Sequence, residues 1–100
     1  MATTSKVLFR GAASTSSTTL YTTPSATTTV VTNIAVANGA STAATFTILL
    51  DDIELQKDST VAANTTAYID LKQVLVATDT IKGLASATTV DFHISGVEIA

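Results

Sequence analysis

Two neighbouring stretches of the chain, residues 27–38 and 43–50, alternate large apolar side chains with smaller or polar ones. Successive side chains of a strand point to opposite faces of a sheet, so each stretch predicts one apolar face. In the first stretch this face consists of Val30, Thr32, Ile34 and Val36. In the second it consists of Phe46, Ile48 and Leu50. The stretches are predicted to pair as antiparallel strands joined by a loop at residues 38–41, which is longer than the two-residue minimum. Asn38-Gly39 is the hairpin signal in this loop, since these residue types tolerate positive φ.

Further β-type runs, separated by turn residues, occur along the whole chain. They lie at residues 6–10, 18–23, 53–56, 61–64, 65–71, 79–84 and 89–99. Asp51-Asp52 predicts either the tight turn of a second hairpin or a bend within a continuing strand, and residues 57–60 predict a polar loop. The apolar face of the last run changes parity near its end, which predicts a β-bulge at Ser95-Gly96.

The spacing of these runs predicts an all-β fold. About eight short strands with a turn signal about every 8 to 12 residues are typical of a two-sheet antiparallel β-sandwich. Thr, Val and Ile make up 37 of the 100 residues, and β-branched side chains favour strands. One helical turn near residues 71–76 stays open, because Leu71, Val74 and Leu75 also fit an i, i+3, i+4 spacing. The predicted core consists of Phe9, Leu20, Val30, Ile34, Val36, Phe46, Ile48, Leu50, Ile53, Ile69, Leu71, Ile81, Val90, Phe92 and Ile94.

The beginning of the chain is predicted to differ from the sandwich domain, which covers residues 18–100. Residues 1–17 are predicted to be a tail or arm that includes the first short strand. The candidate assembly contacts in this strand are Lys6, Val7, Leu8, Phe9 and Arg10. The strand either belongs to the domain's own sheet or forms an arm that adds a strand to another copy.

Charged residues are few and unevenly placed. They make up 13% of the sequence, against about 25% in an ordinary domain. Residues 1–50 carry a net charge of +2 and residues 51–100 a net charge of −5. A neutral surface of Thr, Ser, Ala and Asn suits packing among many copies in an assembly, or an extracellular β-domain. Nucleic acid is not an expected partner, because its phosphates require clustered Lys and Arg.

Cysteine is absent from the sequence, so neither a disulfide nor a thiolate metal site holds the fold. Only a short apolar run, residues 7–9, follows the first polar residues. We therefore expect no signal peptide, no membrane span and no membrane partner, and we expect synthesis in the cytosol.

No residue pattern indicates a catalytic residue, a metal ligand set or a cofactor site. Asp91, His93 and Ser95 are the residue types of a hydrolytic triad. However, side chains two positions apart on a strand lie about 6.6 Å apart, whereas a nucleophile and its base must approach within about 3 Å. We therefore expect that the chain is not an enzyme and that it needs no cofactor.

Two other groups of residues could bind a ligand. Asp51, Asp52 and Glu54 form the densest acidic cluster, which is either a calcium site or a solvated turn. Tyr21 and Tyr68 are predicted to face outward and are the candidate surface-binding residues, since aromatic rings can stack on sugars.

Three strings of the sequence resemble a motif of small structural proteins of tailed bacteriophages. They are TLYTTP at residues 19–24, TVVTNIAVAN at residues 29–38 and ISGVEI at residues 94–99. The similarity extends over most of residues 18–99. It departs from the family at residues 24–27, where the Gly and Lys of the family's turn are missing.

The resemblance implies a non-enzymatic β-sandwich module of the virion that is repeated by symmetry. The resemblance does not distinguish the capsid from the neck or the tail, and we expect a capsid decoration or cement protein ahead of a tail or neck accessory protein. The implied partners are the major capsid protein or another virion protein, and further copies of the chain as a homo-oligomer. The implied location is the virion, after synthesis in the host cytoplasm. A glycan-binding or host-surface module using Tyr21, Tyr68 and residues 38–42 is the alternative from another class.

Overall fold

The abundant β-branched residues are arranged in eight strands. The computed structural model describes residues 2–100 and contains no helix in that range. The strands are β1 Thr3–Ala12, β2 Thr18–Thr22, β3 Thr28–Asn38, β4 Ala44–Leu50, β5 Ile53–Val61, β6 Thr65–Leu75, β7 Thr80–Ala85 and β8 Val90–Ile99.

The strands form two four-stranded sheets that pack face to face. The first sheet has the order β1-β8-β3-β6 and the second the order β2-β7-β4-β5, and all neighbours are antiparallel. The chain passes from one sheet to the other at every connection except that between β4 and β5. The result is an elongated sandwich of 46 × 21 × 18 Å, and the predicted fold class is confirmed.

The predicted pairing of residues 27–38 with residues 43–50 is wrong, because β3 and β4 lie in different sheets. Asn38 is the reason, since its buried side chain holds a connection between the sheets instead of a hairpin turn. Its amide nitrogen donates to the carbonyl oxygens of Thr42 at 2.8 Å and Val61 at 3.3 Å. Its amide oxygen accepts the backbone N–H of Ala40 at 3.1 Å. Gly39 does not have a positive φ.

The tight turn at Asp51-Asp52 is confirmed. These two residues join β4 to β5 and have φ angles of 52° and 62°. Positive φ at both central residues matches the right-handed twist of a two-residue hairpin. The predicted polar loop at residues 57–60 is wrong, because β5 continues to Val61 as an edge strand. Its polar residues are accommodated by an irregularity at Asp58, which has a φ of 47° and whose N–H donates to the hydroxyl of Thr47.

A bulge in β3 changes which of its side chains face the core. The register of β3 with β8 shifts between Val31 and Asn33, so that Thr32 is an extra residue. Val31 is therefore fully buried on the same face as Ile34. Val30 is only half-buried, so its predicted core position is wrong, and Thr32 is exposed although alternation predicted it on the apolar face.

The bulge predicted at Ser95-Gly96 lies in the partner strands instead. β8 alternates without interruption from Val90 to Gly96, and the extra residues opposite it are Leu8 in β1 and Thr32 in β3. Gly96 is buried at this place, and a Cβ on it would lie 2.4 Å from the carbonyl oxygen of Val30. A glycine is therefore required by the close approach of the β3 backbone.

The predicted helical turn near residues 71–76 is wrong. β6 continues to Leu75, and it pairs with β3 through Gln73, Val74 and Leu75. Strand alternation buries Leu75 and leaves Val74 61% exposed, whereas a helix would have placed both on one face.

The core lies between the sheets, and its largest fully buried side chain is Phe92 of β8. The rings of Phe46 and Phe92 meet edge to face, with centroids 6.4 Å apart. The buried apolar residues are Leu8, Ala13, Val31, Ile34, Val36, Ala44, Phe46, Ile48, Val61, Leu75, Ile81, Ala85, Val90, Phe92 and Ile94. Ile53 is 71% exposed, so its predicted core position is wrong.

Candidate functional site

A hydrogen-bond network centred on Tyr21 connects the two sheets at one end of the sandwich. The hydroxyl of Tyr21 in β2 donates to a carboxylate oxygen of Glu98 in β8 at 2.5 Å. Because that uses its one proton, it accepts the hydroxyl proton of Thr29 in β3, with an oxygen–oxygen distance of 2.8 Å. Lys6 in β1 completes the network with an ion pair to Glu98 at 3.3 Å.

Tyr21 takes part in this network because β2 contains a bulge. The register of β2 with β7 shifts between Thr19 and Tyr21, with Leu20 as the extra residue. Tyr21 pairs with the buried Ile81 and packs against the core beside Leu20. The prediction that Tyr21 faces outward is therefore wrong.

Burial and hydrogen bonding shift the titration of both polar partners. Burial raises the pKa of Tyr21 above its ordinary value of 10.0, and the hydrogen bond to Glu98 raises it further. The hydrogen bond from Tyr21 lowers the pKa of Glu98 below its ordinary value of 4.5, and Lys6 lowers it further, whereas burial opposes both. At neutral pH the network holds a neutral phenol and an ionised carboxylate, which is its bonded form.

The network joins the three strings that resemble the phage proteins. Tyr21 belongs to TLYTTP, Thr29 to TVVTNIAVAN and Glu98 to ISGVEI. Thr29 and Glu98 are direct partners in the β3–β8 register, and Tyr21 reaches them from the other sheet. In this chain the residues shared with the motif therefore serve packing between sheets, and their polar groups bind one another.

The two predicted surface-binding tyrosines do not form a common surface. Tyr68 is 71% exposed and lies on β6, an edge of the first sheet. Tyr21 lies on β2, at the opposite edge of the second sheet, and its hydroxyl is engaged. The loop after Asn38 is likewise held by bonds within the chain.

The candidate assembly contacts lie on β1, which pairs with β8 of the same chain over its whole length. Leu8 is buried and Phe9 packs against the core, so these two side chains stabilise the fold. Lys6 is paired with Glu98. Val7, which is 45% exposed, and Arg10, which is also exposed, remain open to a partner along this edge.

A groove of about 350 Å³ opens between the sheets at the β5–β6 side of the sandwich. It is lined by Leu50, Asp51, Ile53, Glu54, Leu55, Gln73, Val74, Leu75 and Asp79. Repulsion from Asp79 raises the pKa of Asp51 above its ordinary value of 3.8. Sequence reasoning did not predict this groove, because Ile53 was assigned to the core and residues 71–76 had a helical alternative.

The acidic cluster of residues 51, 52 and 54 is divided between different partners. Asp52 pairs with Lys82 at 2.6 Å and Glu54 with Lys57 at 3.5 Å. Within residues 2–100 no group of three or more His, Cys, Asp or Glu side chains could hold a metal ion.

These features define the class of the molecule, an all-β two-sheet sandwich with open edges and a network between its sheets. No protein-family model and no curated protein matches the sequence. Two crystal structures of a pentameric capsid protein isolated from metagenomic phage sequences are similar to it, at 21% identity with a TM-score of 0.41 and at 24% identity with a TM-score of 0.42. In each case 94% of this chain is covered, and the chain spans 59% and 60% of the length of those proteins.

Among residues 2–100 there is no helix with the length and apolar character needed to cross a membrane.

Proposed function

We propose that this chain is a non-enzymatic structural protein of a bacteriophage virion that binds the capsid surface in many symmetric copies as a decoration or cement protein. Its partners would be the major capsid protein and further copies of itself. It would be made in the host cytoplasm and reside in the virion.

The observation that carries the proposal is the meeting of the three phage-like strings in one network. Tyr21, Thr29 and Glu98 come from separate strands and bond to one another across the two sheets. Because the polar groups of the motif bond to one another, the motif stabilises the fold and leaves no group free for catalysis. A repeated structural module requires a stable fold of this kind. The resemblance therefore supports a structural role and identifies no chemistry.

The surface composition supports the same proposal. Only 13% of the residues are charged, so much of the surface can be desolvated at low cost when copies pack together. Both edges of the first sheet are long strands, of 10 and 11 residues in β1 and β6. Such edges pair readily with other chains.

The glycan-binding alternative is weaker on this structure. Tyr21 and Asn38, two of the positions that it requires, have side chains engaged in bonds within the chain. Tyr68 alone is a small platform for a sugar.

The test is the number of copies of the chain per purified particle, measured by quantitative mass spectrometry against the major capsid protein. Hundreds of copies are expected for a decoration or cement protein. A handful in a multiple of three or six would move it to the tail or neck, and absence from the particle would overturn the proposal.

A further inference from the structure

Exposed large apolar side chains of residues 2–100 are confined to the two lateral sides of the sandwich. Val7 lies on β1, at one side, and the others lie on or beside β5 and β6, at the opposite side. These others are Ile53, Tyr68, Val74 and Val76, which are between 57% and 71% exposed. The exposed apolar surface is therefore concentrated on and beside the edge strands, where a neighbouring sandwich would abut.

Charge is sorted between the same two sides. β1 carries Lys6 and Arg10 and no acid. β5, β6 and their adjoining turns carry six of the eight acids of the chain, namely Asp51, Asp52, Glu54, Asp58, Asp70 and Asp79. The lysines on those two strands are Lys57 and Lys72, which leaves a net charge of −4 on that side. The two sides are therefore complementary in sign.

The strand directions allow the two edges of the first sheet to pair with each other. Because β1, β8, β3 and β6 alternate in direction, the outer strands β1 and β6 are antiparallel. A second copy placed beside the first in the same orientation would therefore add its β1 to β6 as an antiparallel neighbour. A head-to-tail contact of this kind closes into a ring when the rotation between copies permits.

The irregularities of the first sheet set the register of such a pairing. The shifts in β1, β3 and β6 lie level with one another, opposite residues 94–96 of β8, so the sheet is irregular along one row. Two sheets joined edge to edge match best when these rows continue into each other. Within one sheet, Arg10 of β1, His93 of β8, Ala35 of β3 and Tyr68 of β6 lie in one row across the strands. When the rows of two copies continue into each other, Arg10 of one copy therefore lies level with Tyr68 of the next.

Arg10 and Tyr68 would then be direct cross-strand neighbours on the outer face. Arg10 shares the face of His93, between the buried Phe92 and Ile94, so it lies away from the core. Asp70 follows on the same face as Tyr68, two positions along β6, and is exposed. Neither Arg10 nor Asp70 forms an ion pair within residues 2–100.

From these observations we infer that the chain associates with further copies of itself head to tail, with β1 of one copy pairing with β6 of the next and Arg10 contacting Tyr68 and Asp70. The guanidinium stacks on the exposed tyrosine ring and pairs with the adjacent carboxylate. This inference rests on the proposed function for the need to assemble, and it names the surfaces that do so.

The first test is sedimentation velocity of the purified full chain over a range of concentrations at low ionic strength. The wild-type chain is expected to form a closed oligomer. Arg10→Glu and Asp70→Arg should each raise the dissociation constant at least about tenfold, and the double variant should regain much of the loss. Asp91→Arg is the matched control, since this exposed aspartate lies on the central strand β8, and it should assemble as wild type.

The second test reads the register directly. The sequence contains no cysteine, so a disulfide between two introduced cysteines reports a single contact. Copies with Arg10→Cys mixed with copies carrying Tyr68→Cys should form an intermolecular disulfide on mild oxidation, because cross-strand neighbours have the required spacing. Arg10→Cys alone should not.

A wild-type chain that stays monomeric at millimolar concentration, or an Arg10→Glu variant that assembles normally, would overturn the inference. Failure of the disulfide while the charge swap succeeds would overturn the register. These results are independent of the proposed function, whose failure would appear as absence of the chain from particles.

Discussion

At one end of the sandwich, the two sides place carboxylates in opposite electrostatic environments, one stabilising and one repulsive. On the β1–β2 side Glu98 is 15% exposed, accepts a hydrogen bond from Tyr21 and pairs with Lys6, and its pKa is lowered. On the β5–β6 side Asp51 is exposed beside Asp79, and its pKa is raised by repulsion. The first side is stabilised from within the chain, whereas the second keeps unfavourable charge and exposed apolar groups. Such a difference is expected where the network on the first side stabilises the fold and the second side contributes a surface for a partner.

The largest expected effect comes from separating the strands that hold the network. Gly96→Ala would place a Cβ 2.4 Å from the carbonyl oxygen of Val30 and push β8 away from β3. We expect a loss of about 3 kcal/mol in the free energy of unfolding, measured by urea denaturation. Gly39→Ala is the control, since nothing lies within 4 Å of its added Cβ, and it should stay within about 0.5 kcal/mol of wild type. Equal effects of the two variants would contradict the close approach.

The next effect concerns the carboxylate of the network. Glu98→Ala leaves the hydroxyl of Tyr21 and the ammonium of Lys6 without their acceptor, and we expect a loss of about 2 kcal/mol at pH 7. Because the folded state lowers the pKa of Glu98, its contribution is full above pH 4.5 and is lost as the pH falls through the lowered value. The difference between wild type and variant should therefore narrow in acid. Glu54→Ala, which removes an exposed carboxylate from the other side, should show neither effect.

A smaller effect is expected from the phenol hydroxyl. Tyr21→Phe should cost about 1 kcal/mol, because the buried hydroxyl of Thr29 and Glu98 each lose a partner. Tyr68→Phe is the matched control on the exposed tyrosine, and it should be within about 0.5 kcal/mol of wild type. Because the pKa of Tyr21 is raised in the folded state, the contribution of its hydroxyl to the free energy of unfolding is full below pH 10.0 and is lost as the pH rises through the raised value. Identical melting curves for the two variants at neutral pH would count against the network.

The smallest effect has the opposite sign. Asp51→Asn removes the repulsion from Asp79 and keeps a residue type that tolerates a φ of 52°, so the melting temperature at pH 7 should rise slightly. Because the pKa of Asp51 is raised in the folded state, protonation of this carboxylate below pH 3.8 removes the repulsion, and the repulsion returns as the pH rises through the raised value. The gain in melting temperature of Asp51→Asn over wild type should therefore vanish in acid. Asp52→Asn should instead give no gain, since it removes the ion pair with Lys82.

The sequence predicted those features of the fold that depend on neighbours along the chain. Alternation gave the all-β class, and the paired aspartates of the β4–β5 turn gave the hairpin. The bulge at Thr32 could not be predicted, because it is defined by β3 having one residue more than β8 in the same interval. The alternation of β3 alone therefore assigned Val30 to the core instead of Val31.

The network and the crossing after Asn38 were not predicted for the same reason. Tyr21 and Glu98 are 77 residues apart, and nothing local to either indicates the other. Asn38-Gly39 has the composition of a hairpin turn, but the side chain of Asn38 finds its partners at Thr42 and Val61, across the connection. Tyr68, whose exposure follows from simple alternation, was placed correctly.

We propose that this chain acts by binding to a particle rather than by chemistry or ligand recognition. The most direct measurement is the binding of the purified wild-type chain to particles assembled without it, followed by sedimentation and quantified at saturation. We expect saturable binding at a fixed stoichiometry that reflects the symmetry of the particle. Particles that bind none of the chain at saturating concentration would contradict it.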